Sequence, residues 1–228
     1  MKEVCKNYKP EILTCPNCGS KLYYRHTVSD KLVYFSNGKR IRIKNLGYSC
    51  PKCADHIYLS QTANKLCFRG YTYSAKLVCM IARLKKQHMS REDICDYFFS
   101  KNIEISDRNV DNLYHKYLSL SNINYLEVIP KAYEEMLKKY NQIRLSIDLI
   151  TIEDEIDVVV YDYFTTEVLA LRAFAREDED GIHNFLASFL NQNLNITLIA
   201  TIRKDNFFVP MLKSLCPSTT KFIAFSKF

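Results

Sequence analysis

The stretch "RLSIDLI", residues 144–150, decides how the back half of this chain is read. Leu145, Ile147 and Leu149 alternate as a β-strand would, yet the carboxylate of Asp148 stands among apolar neighbours. An ionised side chain is costly to bury unless something pairs with it. Working outward, "IRLSIDLITI" and "IDVVVYDYF" are expected to be two strands around the acidic turn "EDE", and "VLALRAF" a third. "EDEDGIHNFLASFLNQ" follows as a helix, "ITLIATI" as a fourth strand, "VPMLKSL" as a helix and "KFIAFSK" as a fifth strand. Before them, Pro130 is expected as the first residue of the helix "KAYEEMLKKY". This order predicts an α/β domain on a mixed five-stranded sheet.

The 228 residues leave room for two or three small domains, and the 47% of hydrophobic residues is ordinary for a globular protein. No apolar run approaches the roughly eighteen residues of a membrane span, and "MKEVCKNYKP" lacks the apolar centre of a signal peptide. The expectation is a cytoplasmic, nucleoid-associated chain without a membrane partner. Nine cysteines in that setting point to metal binding rather than disulfides. The net charge of +7 is unevenly spread. Residues 1–125 hold 21 Lys and Arg against 10 Asp and Glu, while residues 126–228 hold 11 against 15. A basic front on an acidic back suggests that the front meets a polyanion.

"CPNCGS" and "SCPKC" supply Cys15, Cys18, Cys50 and Cys53 as two C-x2-C pairs. A two-residue gap lets both thiolates of a pair turn toward one ion, and two such knuckles complete a tetrahedral structural Zn²⁺ site. Between the pairs lie two β-rich runs around "SNGKR", whose Asn37 and Gly38 are a hairpin signal. Lys39, Arg40, Arg42 and Lys44 follow that turn, with Tyr23, Tyr24, Tyr34 and Phe35 nearby. Such a zinc-held sheet has what is needed to grip a phosphate backbone. His26 and His56 read as surface histidines, because four cysteines already close the site. Cys5, Cys67, Cys79, Cys95 and Cys216 lack metal spacing and read as core or partly exposed thiols.

From Tyr73 to Leu120 the apolar period lengthens to about 3.6 residues. "SAKLVCMIARLKKQHM" predicts one helix and "SREDICDYFFSKN" a second, capped by Ser90. Ser106 caps a third, "DRNVDNLYHKYLSL". Val110, Leu113, Tyr114 and Tyr117 form its apolar stripe, and Arg108, Asn109, Asn112, His115 and Lys116 lie opposite. Helix, short turn, helix is the helix-turn-helix layout, in which Arg reads guanine and Asn reads adenine from the major groove.

A zinc ribbon over residues 1–70, a helix-turn-helix over 71–125 and a domain over 126–228 opening with "SIDLI" together resemble the DDE transposases of prokaryotic insertion elements. The resemblance implies a multidomain α+β chain whose last part is an RNase H-like core. It implies double-stranded DNA at transposon ends as partner, with a homo-oligomer or a full-length transposase relative as company. It further implies that Asp148 is the first of three carboxylates holding Mg²⁺ for phosphodiester cleavage and strand transfer in DNA transposition and recombination. The second is expected just after the fourth strand, where "ATIRKDNFF" offers only Asp205. The third belongs on a helix beyond the fifth strand, and no Asp or Glu follows Asp205. The expected core is therefore incomplete, truncated at its C-terminal side and inactive alone. Asp154, Asp157 and Asp162 are near enough in sequence to stand in for the missing carboxylates, but acids in a hairpin are commonly solvated and they read as such; Glu177 to Asp180 read as the acidic start of a helix. A zinc-ribbon and helix-turn-helix transcriptional regulator is the alternative, and an RNA-binding ribbon a weaker third.

Overall fold

The chain folds as two compact units, Met1–Leu120 and Ser121–Phe228. The computed structural model describes residues 4–53, 56–191, 196–201 and 207–224.

In the first unit, strands β1 (Val4–Tyr8), β2 (Tyr23–Tyr34) and β3 (Arg40–Ser49) form a sheet in the order β1-β3-β2. β2 and β3 are the expected hairpin, antiparallel, with Tyr34 opposite Arg40. The turn closes through Phe35 N–H to Lys39 O (2.9 Å) and Gly38 N–H to Phe35 O (3.0 Å). Gly38 has φ +76°, and a Cβ there would lie 2.5 Å from the carbonyl oxygen of Lys101, so glycine is required twice over. β1 runs parallel to β3 and was not foreseen, because five residues with mostly exposed side chains carry little apolar alternation.

Helix α1 (Gln61–Lys65) was also unforeseen. It is held from outside: the Glu11 carboxylate accepts hydrogen bonds from Ser60 Oγ (2.7 Å), Gln61 N–H (2.9 Å) and Thr62 N–H (2.9 Å). A five-residue helix has almost no intrinsic stability, so this clamp on its orphan donors does what propensity does not.

Helices α2 (Ala75–Lys86), α3 (Arg91–Phe99) and α4 (Asp107–Ser121) follow where the apolar period places them. Ser90 forms a full capping box with Asp93, and Asn109 N–H reaches Ser106 Oγ at 3.4 Å. Val110, Leu113, Tyr117 and Leu120 are the buried stripe of α4. Asp111 accepts from both Lys85 (3.3 Å) and Arg91 (3.1 Å), tying α4 to α2 and α3.

In the second unit, α5 (Tyr125–Tyr140) precedes β4 (Ile143–Ile152), β5 (Glu155–Asp162) and β6 (Val168–Ala175). Then come α6 (Glu179–Leu190), β7 (Ile196–Thr201), α7 (Phe208–Leu215) and β8 (Lys221–Ala224). The mixed sheet has the order β6-β5-β4-β7-β8, so β4, which carries Asp148, is its central strand. β4 is antiparallel to β5 and parallel to β7, and β7 is parallel to β8. The five strands and both later helices lie where the alternation placed them.

One boundary is corrected. Pro130 is not the first residue of its helix but its sixth, with α5 starting at Tyr125. Tyr125 packs edge-on against Phe185 of α6 at 5.0 Å, and Ile129 is fully buried. That packing holds the extra helical residues ahead of the proline although the Leu126 carbonyl loses its usual donor. Among the described residues, no helix is long and apolar enough to cross a membrane.

Candidate metal centre

Each cysteine pair sits in a turn shaped by backbone bonds. In the first, Cys15 N–H donates to Ser20 O at 2.7 Å and Gly19 N–H to Cys15 O at 2.9 Å, with Thr14 and Lys21 paired beneath. The second follows directly on β3, and Tyr48 and Tyr58 exchange both backbone hydrogen bonds across it, at 3.0 and 2.8 Å. The hairpin thus carries Cys50 and Cys53 back to Cys15 and Cys18 across thirty-one intervening residues.

The four Sγ atoms all lie within 4.8 Å of one another. Cys18 and Cys50 are separated by 3.4 Å, far beyond the ~2.05 Å of a disulfide and near the roughly 3.8 Å between thiolates around one tetrahedral ion. Cys15 and Cys50 are buried with Leu22 and Tyr58 in a small core of their own, packed by Tyr48. The Tyr58 hydroxyl lies 3.7 Å from Cys15 Sγ. His56 stands edge-on to the Tyr58 ring at 4.5 Å, and His26 is exposed on β2, so neither joins the quartet.

The electrostatics fit a cation. Hydrogen bonds from the Ser20 side chain and backbone pull the Cys18 thiol down to about 6. Cys15 is also lowered, burial being outweighed by the backbone N–H groups of Cys18 and Asn17. Cys53 is pushed up to about 12, first by its hydrogen bond with Cys18, and Cys50 is raised by burial. Four thiols this close do not all ionise side by side; a divalent ion at their centre removes the repulsion and suits their soft sulfur. Cys15, Cys18, Cys50 and Cys53 therefore have the donor set and spacing to bind a metal such as zinc. A bound zinc would supply structural cross-linking, with no open position.

On β3, alternation sends Ile43 and Asn45 inward and Arg40, Arg42 and Lys44 outward. Lys39 is exposed in the turn, and Arg40 lies over the Tyr34 ring at 5.3 Å. Arg42 grips Asp30 with two hydrogen bonds (2.7 and 3.3 Å), and Lys44 approaches the same carboxylate at 3.6 Å. Those contacts, led by Arg42, hold the Asp30 carboxyl below its ordinary range.

On α4, Arg108 and Asn112 are exposed. Asn109 Nδ2 donates to the Tyr73 hydroxyl at 3.4 Å, and Lys116 Nζ lies 5.7 Å from the Tyr71 ring centre.

Asp148 is buried (7% exposed) on the central strand. Its β5 partner is Val159, and Asp157 pairs with Ile150, so Asp148 and Asp157 point from the same face of adjacent strands. Asp157 and Asp162 are buried too, at 3% and 7%, which corrects their reading as solvated hairpin acids. The strand register that buries them follows from a turn of two residues, 153–154, shorter than the acidic run suggests. Asp162 faces the other side, its Oδ1 accepting from Phe164 N–H (2.6 Å) and Thr165 N–H (3.0 Å). Asp205 lies outside the described residues. Among the described residues, the cysteine quartet is the one group of three or more Cys, His, Asp or Glu at ligand spacing. Among the described residues, no group of three carboxylates comes to ligand spacing around Asp148. Comparison with known proteins adds no relative: no family model matches this chain, and no curated protein is found to match it.

Proposed function

We propose that the chain is a zinc-stabilised, DNA-binding protein of the DDE-transposase kind that recognises transposon-end duplex DNA. In this reading, residues 1–70 are a zinc ribbon, α3 and α4 a helix-turn-helix, and the second unit an RNase H-like core. The observation that carries it is the central placement of Asp148: three antiparallel strands, helix, strand, helix, strand, with the buried acid on the first strand and that strand in the middle of the sheet. The four-cysteine cluster and the outward row Arg40, Arg42, Lys44 support the DNA-binding part. No cleavage step is assigned: Asp205 lies outside the described residues, and no three described carboxylates meet around Asp148. Mg²⁺, Asp205, an oligomeric assembly and a nucleoid location belong to the resemblance alone.

The test is duplex binding by fluorescence anisotropy across a salt series, with zinc-loaded and chelated protein. Four to six phosphate contacts predict a log–log slope of about −4 to −5. The zinc-free protein is expected to bind at least roughly tenfold more weakly, since the metal shapes the sheet that presents the cations. Absence of duplex binding by the zinc-loaded chain overturns the reading. Tight binding to one promoter-like sequence, with no preference for element ends, favours a transcriptional regulator instead.

A further inference from the structure

We propose that the concave groove between residues 70–73 and helix α4 binds a single unpaired nucleotide, its base lying on Tyr71 and its phosphate at Lys116. The proposal rests on the nucleic-acid reading above and deepens it. The groove is open to solvent and offers about 720 Å³, within the range of small-ligand sites. One wall is Tyr71 and Tyr73; the other is a row on α4 that includes Asn112, His115 and Lys116. Among the described residues that line it, none is acidic.

The aromatic wall is fixed in place. Tyr34 N–H donates to Thr72 O (2.8 Å), Ser74 N–H to Tyr34 O (2.9 Å) and Tyr71 N–H to Phe68 O (3.1 Å). The Tyr73 ring packs at 5.4 Å on Tyr34, and its hydroxyl is held by Asn109. Tyr71 is half-buried, with the Lys116 ammonium over its ring, 5.7 Å from the centroid, so an incoming base shares the ring with a mobile lysine that can swing to its phosphate. An aromatic ring, the cation over it and the exposed amide of Asn112 match the three parts of a nucleotide: base plane, phosphate and base edge.

Pairing decides between duplex and unpaired ligand. A paired base hides both its face in the stack and its hydrogen-bonding edge in the pair, so it cannot lie on Tyr71. An unpaired base offers both. Arg108, exposed on the same helix, remains available to the neighbouring duplex backbone.

The zinc-loaded full chain is titrated with a blunt duplex, with the same duplex bearing a single-stranded overhang that contains 2-aminopurine, and with adenosine 5′-monophosphate. The overhang is expected to bind about tenfold more tightly than the blunt end, with quenching of 2-aminopurine by stacking. Tyr71→Ala is expected to remove both the preference and the quenching while leaving blunt-end affinity unchanged, and Tyr71→Phe to keep both. Saturable binding of the monophosphate that Tyr71→Ala abolishes supports the same site, with a free nucleotide as its source. Blunt-end binding with neither an overhang preference nor Tyr71-dependent monophosphate binding overturns the nucleotide site but spares the DNA-binding function. Failure of all three probes to bind overturns both.

Discussion

Gly38 and Asp162 show how much a single position can depend on surroundings distant in sequence. Gly38 combines a left-handed φ with a backbone carbonyl 2.5 Å from where a Cβ would stand. Gly70, also left-handed at φ +85°, has no atom of the described residues beyond its own chain neighbours within 4 Å of that point. Gly70→Ala is therefore expected to cost about 1 kcal/mol, the conformational part alone. Gly38→Ala should cost about 2–4 kcal/mol, because the Lys101 backbone must shift as well. Urea unfolding of both variants at saturating zinc checks this; equal losses would mean that the close approach is relieved freely.

Burial raises the Asp162 carboxyl above its ordinary value, against the N–H groups of Thr165 and Phe164. The folded state then holds its proton to higher pH than the unfolded chain does. Between the unfolded value near 3.8 and the raised folded value, the folded state binds more protons, so this group's contribution to stability falls as pH rises. Asp162→Asn keeps an oxygen for the two N–H donors and removes the titration. Relative to wild type, the variant is expected to gain stability between pH 3.5 and pH 7, as read from urea midpoints. A relative loss over that range would reverse the sign and refute the assignment.

At the scale of elements, packing against a partner overrides local preference twice. Helix α1 exists because Glu11 holds its first donors, and α5 extends back past Pro130 because Tyr125 and Ile129 are anchored. The proline leaves the Leu126 carbonyl without its intrahelical donor, a cost the anchors offset. Pro130→Ala is expected to stabilise the second unit by about 1–2 kcal/mol, the regained hydrogen bond and relieved ring contact exceeding the added freedom of the unfolded chain. Thermal unfolding is the measurement, and a lower midpoint would show that the proline is the better residue there.

For the whole molecule, the division into two units makes a prediction about metal removal. The cysteine quartet belongs to Met1–Leu120, and the five-stranded sheet to Ser121–Phe228 has a core of its own. Chelation is expected to abolish amide protection in β2 and β3 while β4 and β5 keep theirs, because zinc-coupled folding energy is confined to the unit that binds the ion. Hydrogen exchange with and without chelator tests this, and uniform loss of protection would show that the units do not fold independently.

The sequence alone determined what depends on local spacing. Two C-x2-C pairs, the Asn37 and Gly38 turn, the caps at Ser90 and Ser106, and the alternation of β4 to β8 are all written within a few residues. Tertiary structure decided what depends on partners far along the chain. Among these are strand β1, the clamp on α1, and Asp148 in the central strand with Asp157 beside it on the same face. So too is the groove that sets Tyr71 against Lys116. The reason is physical: turns, caps and periods are set by backbone geometry over one or two residues or turns, whereas register, burial and the meeting of side chains are set by which elements pack together.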